Sequence, residues 1–574
     1  MDGTGGAGTP GARRVVVIGG GISGLASAAL LARDGYSVDL VEAREDFGGR
    51  AGTWEQDGFR FDTGPSWYLM PEVFDHFFHL LGTSADAELD LAQLDPGYRV
   101  FFEDEPAPLD IRADRQRNVE LFEQVEPGAG RALERYLDSA ALTYDMAISR
   151  FLYTSFTSYR PFLSRDLLAQ LHRLGPLLLE PLERFTGRHF RDRRLRQVLG
   201  YPAVFLGSSP DRAPSMYHLM SALDLTGGVL YPQGGFTRLI DVMVRLARES
   251  GVRLHAATPA TGIVTAPSGF GTRTGTGRRG VRGLVTGTRA RATGVRVRGR
   301  DGAERVLPAD VVVSAADLHH TETTLLPPRL QTYPEAYWQR RTSGPGAVLA
   351  MLGVRGELPQ LPHHSLFFTR DWDANFGAIR AGTVPDPASV YVCRPSATDP
   401  DVAPDGHENL FVLVPMPADP GLGGGGHDGG GDPAVEAVAD AAIEQVGRWA
   451  GIPDLPGRVV VRRTVGPADF ARDLGAWRGG MLGPAHTLAQ SAMFRTGNAS
   501  RRVDSLYYAG SSTIPGIGLP MCLISAEILL KRLRGDHSAS PLAEPLVPTA
   551  DGPTAAGPDP DGRPVPAGKA APWR

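Results

Sequence analysis

The apolar positions of this chain form short unbroken runs and longer helical stripes, and their order predicts the elements. Residues 15–18 (VVVI) and 310–314 (DVVVS) are apolar without alternation, as in strands buried on both faces of a parallel sheet. After the first run a helix is expected over 22–33, closed by Asp34-Gly35, and a second strand follows at 37–41. Residues 237–249 read as an amphipathic helix behind Gly234-Gly235, with a strand at 252–255. Further strands are expected at 390–393 and 410–414, and 131–190 reads as helical with little strand character. At the far end, 507–530 (YYAGSSTIPGIGLPMCLISAEILL) reads as a closing strand, a tight glycine turn and a helix.

Candidate chemistry sits where the first strand meets the first helix. Gly19, Gly21 and Gly24 form G-x-G-x-x-G, which allows a tight turn, close approach of backbone N–H groups to a phosphate, and close helix–strand packing. Ile22 and Ser23 open the helix, whose positive dipole end would face that phosphate. Glu42 ends the second strand at about the ~20-residue spacing expected of a carboxylate on a ribose hydroxyl. In a chain with 71 glycines the motif alone is weak; its strand, helix and acid give it weight. The turn at 510–518 and the helix start at Leu519-Pro520 could meet the same cofactor from its far side. One cofactor gripped by both ends of the chain implies a discontinuous binding domain. The apolar stretch 15–31 could pass for an export signal or membrane segment, with Arg13-Arg14 ahead of it. Four glycines and two serines interrupt it and no convincing cleavage site follows, so neither is expected.

Composition changes the picture only a little. At 574 residues two or three domains are expected. A net charge of −5 gives no reason to expect nucleic acid as a partner. The two cysteines, Cys393 and Cys522, stand in no ligand-like spacing, so neither a disulfide nor a metal site is expected, and a reducing compartment is the default. Lysine occurs only at 531 and 569, so basic charge is nearly all arginine, as codon bias from a GC-rich genome would produce. Residues 265–300, 421–431 and the tail from 536 are rich in Gly, Pro, Thr or Ala and read as loops or disorder. Gly275-Thr276-Gly277 lacks a feeding strand and a following helix, so no second nucleotide site is expected. In 151–185, leucines and aromatics alternate with Arg165, Arg173 and Arg184; such a face suits either a core-facing helix pair or a bilayer surface.

Beyond Glu42 the sequence resembles a known superfamily. Ala43-Arg44, then Phe47-Gly48-Gly49-Arg50, then Phe61-Asp62-Thr63-Gly64-Pro65-Ser66 are similar to the large FAD superfamily that contains flavin amine oxidases and carotenoid desaturases. The resemblance implies that Gly49, Arg50, Gly64, Pro65 and Ser66 line the pyrophosphate and ribityl–isoalloxazine region of FAD, with Ala260 approaching the adenine and Gly510, Gly518, Leu519 and Pro520 closing the site. The order of later blocks resembles the bacterial or fungal-type phytoene desaturases: SMYHLMSALDLTGGVLYPQGGF at 215–236, DVVVSAADLHHT at 310–321, LAQSAMFRTGN at 488–498 and LYYAGSSTIPGIGLPMCLISAEIL at 506–529. These blocks cover most of 14–533. The family's closing turn commonly reads Pro-Gly-x-Gly-x-Pro-Gly, and Met521 stands here in place of the last glycine.

The expected fold is therefore α/β: a discontinuous Rossmann-like FAD-binding domain (14–80, 225–327, 485–534) with an inserted α+β substrate domain (81–224, 328–484). A helical membrane-facing cap (131–190) and disordered tails (1–13, 535–574) complete it. The resemblance implies desaturation of phytoene toward lycopene or neurosporene, by hydride transfer from the polyene to flavin N5, with quinone or oxygen as terminal acceptor. A long hydrocarbon has no charge to bind, so an apolar tunnel and attachment to the inner face of the cell membrane are expected. Such chemistry asks mainly for positioning, and no nucleophile–base pair is compelled; Asp145, Arg150, His319 and His486 read as structural. Related carotenoid oxidoreductases acting on hydroxylated or C30 precursors, or isomerising or ketolating the polyene, remain alternatives. A flavin amine oxidase would want a lysine near N5, and neither Lys531 nor Lys569 is well placed. Prenyl-lipid carriers of the Rab escort and GDP-dissociation-inhibitor type share the architecture without redox chemistry.

Overall fold

The computed structural model describes residues 12–157, 175–268 and 289–548. Its organising element is a five-stranded parallel sheet in the order Leu506–Tyr508, Val311–Ser314, Arg14–Ile18, Ser37–Val41, Arg253–His255. Val15, Val16 and Val17 at its centre are completely buried, as an unbroken apolar run requires. Strands from both ends of the chain thus share one sheet, with only Val311–Ser314 between them.

The helix Ile22–Arg33 is buried from Ile22 to Leu31 on all sides. Its alanines, serines and glycine leave room for it to be enclosed by the helices Leu519–Leu533 and Gly235–Glu249, and Leu25, Leu30, Leu239 and Ile528 share one core. Gly24 is indispensable to that packing, because a Cβ there would overlap the carbonyl oxygen of Gly19.

A second, seven-stranded sheet runs in the order Val459–Val465, Gly346–Arg355, His407–Met416, Val390–Cys393, His364–Phe368, Tyr98–Phe102, Leu109–Ile111. Its pairings are antiparallel except that of His364–Phe368 with Tyr98–Phe102. The helix Pro433–Trp449 covers one face through Val435, Ala439, Ile443 and Val446. The helix Ala129–Met146 turns Leu133, Tyr136 and Leu137 toward Phe190, Leu195 and Val198, so the described part of 131–190 uses that face as ordinary core. The arginine-bearing stretch 158–174 lies outside the described residues, as does Gly275-Thr276-Gly277.

Three segments expected to be loose are ordered where described. The ends of 265–300 belong to an antiparallel pair, Ala260–Pro267 with Ala290–Arg298. The glycine run 421–431 packs against the edge strand Val459–Val465. Its amides at Gly424, Gly425 and Gly426 donate to Asp432, Asp469 and Thr464 at 2.7, 2.6 and 2.9 Å, and a Cβ on Gly425 would overlap the Thr464 carbonyl. Residues 536–548 fold back. Leu546 is buried and its amide donates to the Leu80 carbonyl, while the buried Lys531 ammonium donates to the carbonyls of Tyr153, Ser538 and Ser540. Composition misleads in these places because backbone hydrogen bonds to neighbouring carboxylates and carbonyls order a chain that has little apolar surface of its own.

Candidate functional site

Four glycine-bearing turns converge on one cavity of about 930 Å³. Gly19, with φ +97°, turns the chain off the first strand, and Gly20 donates to Glu42 Oε2 at 2.6 Å. Gly48, with φ +115°, brings the second glycine turn alongside, so that Gly21 and Gly48 form a backbone bridge. A Cβ on Gly64 would overlap the Arg50 carbonyl oxygen, so this third turn is also pressed backbone to backbone. From the other end of the chain Gly510, Gly518, Leu519 and Pro520 reach the same cavity. Two helix N-termini, at Ile22 and Leu519, face it with no side chain capping either.

Gly19, Gly21, Ile22, Ser23, Glu42, Ala43, Gly49, Arg50, Gly64, Pro65, Ser66, Ala260, Gly510, Gly518, Leu519 and Pro520 all line the cavity. Gly24 and Arg44 do not. Gly24 faces Gly19 inside the helix–strand contact, and Arg44 lies behind the wall, its Nη1 donating to the Gly49 carbonyl at 3.1 Å and its amide to Glu42 Oε1 at 2.9 Å. Sequence spacing places a residue near a site; the direction of its side chain is decided by the turn.

The arrangement fits FAD. Free N–H groups at two helix starts, and flat glycine backbone where a side chain would collide, suit a pyrophosphate and its flanking rings. Arg50 supplies the telling observation: its Nε and Nη2 are buried at the cavity wall without a hydrogen-bond partner, with Asp317 3.9 Å away as its ion pair. Two buried donors left this way are costly unless a ligand acceptor completes them.

Beyond the glycine turns the cavity is apolar and aromatic. Trp67, Tyr201, Phe205, Phe368, Trp372 and Tyr391 form one packed wall, with ring centroids 4.8 to 6.3 Å apart. Leu349, Leu366, Leu413, Met216, Met220 and Met481 add aliphatic surface. No local motif announces these residues; they come together only through the second sheet and the helices above it.

One polar chain crosses this surface. The Ile517 amide donates to His486 Nε2 at 3.2 Å, which leaves the imidazole proton on Nδ1 to donate to Tyr217 Oη at 2.7 Å. The Tyr217 hydroxyl then donates to Ser491 Oγ at 3.1 Å, and Ser491 to the Thr487 carbonyl at 2.8 Å. Burial, assisted by the nearby Arg495 guanidinium, holds the His486 pKa well below its ordinary value, so the ring stays neutral. Arg495 is itself buried, which lowers its pKa to about 10, and it donates to the carbonyls of Thr513, Gln490, Pro484 and Ser511. The turn 510–518 is thereby tied to the loop 484–495. Of the residues weighed from sequence as acid–base candidates, only His486 lines the cavity; His319 instead meets Glu335 at 2.8 Å.

Comparison with known proteins agrees with this geometry. The model of the flavin containing amine oxidoreductase family matches residues 22–528. A carotenoid 3,4-desaturase of Haloarcula japonica is 38% identical over 93% of this chain and 98% of its own. A zeta-carotene-forming phytoene desaturase of Myxococcus xanthus is 34% identical over 91% of this chain and 94% of its own, and a phytoene desaturase of Fusarium fujikuroi 29% identical over 91% and 90%. Among solved structures, wild-type putrescine oxidase bound to putrescine superposes with a TM-score of 0.54 at 14% identity, covering 91% of this chain and 98% of that one. An oxidoreductase from Methanosarcina mazei superposes at 0.52 and 16% identity, covering 90% and 100%; both likenesses concern the fold alone. The chain therefore belongs to the flavin containing amine oxidoreductase family, among its carotenoid desaturases, and is an FAD-dependent oxidoreductase acting on CH–CH bonds.

Proposed function

We propose that this enzyme desaturates phytoene toward lycopene or neurosporene. The observation that carries the reading is a single cavity with phosphate-binding glycine turns at one part and an aromatic and aliphatic wall at the rest. Bound FAD supplies the two-electron acceptor. The protein's own residues position the chain and exclude water. Trp67, Tyr201, Phe205 and Tyr391 offer flat faces to a polyene, and neutral His486 adds no charge to the apolar surroundings. Apart from Trp67, this wall comes from Tyr201 and Phe205 and from Phe368, Trp372 and Tyr391, which supports the assignment of 81–224 and 328–484 to a substrate domain inserted into the FAD-binding one.

Attachment to the inner face of the cell membrane forms part of the same proposal. Leu178, Leu488, Met493 and Phe494 line the cavity and are also solvent-exposed, with Phe494 57% and Met493 45% accessible, and Leu179, next to Leu178 in sequence, is 76% accessible. Apolar side chains at a cavity mouth suit a lipid surface from which an insoluble substrate enters. No helix among the described residues is long and apolar enough to cross a membrane.

A second reading is favoured by the 38% identity to a carotenoid 3,4-desaturase: introduction of a double bond further along a polyene that is already conjugated. Expression in a phytoene-accumulating host and, separately, in a lycopene-accumulating host separates the two. Coloured products from phytoene support the first reading. Phytoene left intact with lycopene converted to a more unsaturated pigment supports the second. If both substrates persist while the purified protein carries FAD, both readings fail.

A further inference from the structure

Behind the aromatic wall, outside the cavity, lies a cluster that the desaturation chemistry does not use. His363, His364 and Cys393 are buried, and one potential ligand atom from each lies within 4.8 Å of the others. His364 and Cys393 stand directly opposite one another on neighbouring antiparallel strands. His363 precedes the strand, and adjacent residues of an extended chain would normally point to opposite sides. Here the two imidazoles converge instead, their centroids 4.6 Å apart.

Each imidazole has one nitrogen held and one left over. His363 Nδ1 meets Thr398 Oγ1 at 2.8 Å, and His364 Nδ1 meets Tyr391 Oη at 2.9 Å. Both Nε2 atoms are buried without any hydrogen-bond partner. Two orphaned imidazole nitrogens beside a buried thiol are expensive to leave empty. The same arrangement, with the second ring nitrogen donating to a hydroxyl, is how ligating histidines are oriented. Burial also disfavours both imidazolium forms, as ligation requires. Burial pushes the Cys393 thiol pKa well up, so a bound cation would have to draw off the proton; Ser66 and Tyr391 stand beside the sulfur, where their hydroxyls would donate to the resulting thiolate. The Arg394 guanidinium nearby is neutralised by Glu408 at 2.7 Å, and Asp62 contributes a negative charge close to Cys393.

We propose that His363 Nε2, His364 Nε2 and Cys393 Sγ bind one thiophilic d10 cation, Zn(II) or Cu(I). A thiolate with two imidazoles suits either ion and suits the hard cations poorly. Binding releases the Cys393 proton to solvent and leaves oxidation states unchanged. The ion pins the strand Val390–Cys393 to residues 363–364. It thereby holds Tyr391 and Trp67, which stacks on His364 at 4.7 Å, in the cavity wall. Its role is positional.

The test is elemental analysis of tag-free, FAD-loaded protein after desalting, as purified and after incubation with zinc sulfate or with Cu(I) under anaerobic conditions. About one equivalent of zinc or copper per chain is expected, and which metal fills the site distinguishes the two ions. X-ray absorption at that metal should show one sulfur and imidazole scattering. Cys393→Ser and His364→Gln should lose at least about tenfold in metal content while retaining flavin, and Cys522→Ser should keep its metal. Metal at background in the folded wild-type protein under all three conditions overturns the proposal. So does a bound metal without sulfur scattering, or one that survives Cys393→Ser.

Discussion

The His486 imidazole lies against Gly516, where a Cβ would overlap its ring, and accepts the Ile517 amide proton at 3.2 Å. The glycine turn at the cofactor end of the cavity is therefore shaped by a neutral histidine from a distant loop. His486→Leu keeps the volume but orphans the Ile517 amide and frees Tyr217. Such a loss costs roughly 1 to 3 kcal/mol of stability, and a small displacement of the turn lowers turnover roughly tenfold or more. Flavin content should stay near wild type. Turnover equal to wild type with the same flavin load would show that the turn holds its shape without the histidine.

Gly24→Ala is expected to be more damaging than its size suggests. The added carbon overlaps the Gly19 carbonyl, so the first helix must move off the strand that carries the phosphate turn. The measurable outcome is protein that purifies with little flavin absorbance and recovers little on reconstitution. Arg50→Met should instead fold normally, because its guanidinium makes no hydrogen bond through Nε or Nη2, and bind FAD at least about tenfold more weakly. Unchanged FAD affinity would remove Arg50 from the site.

Asp224 makes a pH-dependent contribution to stability. It is fully buried, accepts the hydroxyls of Tyr98 and Tyr201 on Oδ2 at 2.9 and 2.8 Å, and burial raises its pKa from 3.8 to about 7. Native protein therefore holds this proton where unfolded chain releases it. The stabilising term is complete below pH 3.8 and is lost as pH rises through about 7. Asp224→Asn cannot ionise, so its stability relative to wild type should improve across that window by an amount on the order of a few kcal/mol. Urea unfolding of both proteins at acidic and mildly alkaline pH measures it. A constant difference at every pH would mean that the Asp224 carboxyl titrates alike in the folded and unfolded protein.

The rim of the cavity should decide membrane attachment. Replacing Leu178, Leu179, Met493 and Phe494 with serine removes exposed apolar surface and no core, so flavin content and thermal stability should hold. Binding to liposomes, read by flotation, should fall at least about tenfold. Retention of the variant on liposomes would place the contact elsewhere.

Much of the cofactor end was legible in one dimension because its physics is local. A strand, a turn with positive φ at Gly19 and a helix start lie within a dozen residues, and the backbone itself is the ligand. Arg44 shows the limit of that legibility: the same segment carries it, yet its side chain turns behind the wall to the Gly49 carbonyl. The aromatic wall carried no local signal, since Trp67, Tyr201, Phe368 and Tyr391 come from four separate stretches of chain and the contacts between them are set by tertiary packing. Loop composition misled at 421–431, where glycines predict looseness but supply amides to Asp432 and Asp469.

From its residue order alone the protein was bound to build a parallel βαβ unit with a dinucleotide turn, because unbroken apolar runs and glycine spacing act through neighbours in the chain. Tertiary structure alone decided that Leu506–Tyr508 would lie in the same sheet as Arg14–Ile18, and that Arg50 would face the cavity with donors unspent. It also decided that two adjacent histidines would turn toward one cysteine across a strand pair. Those outcomes depend on the order in which strands pair and on which surfaces remain to be covered, and neither is written in any single stretch of chain.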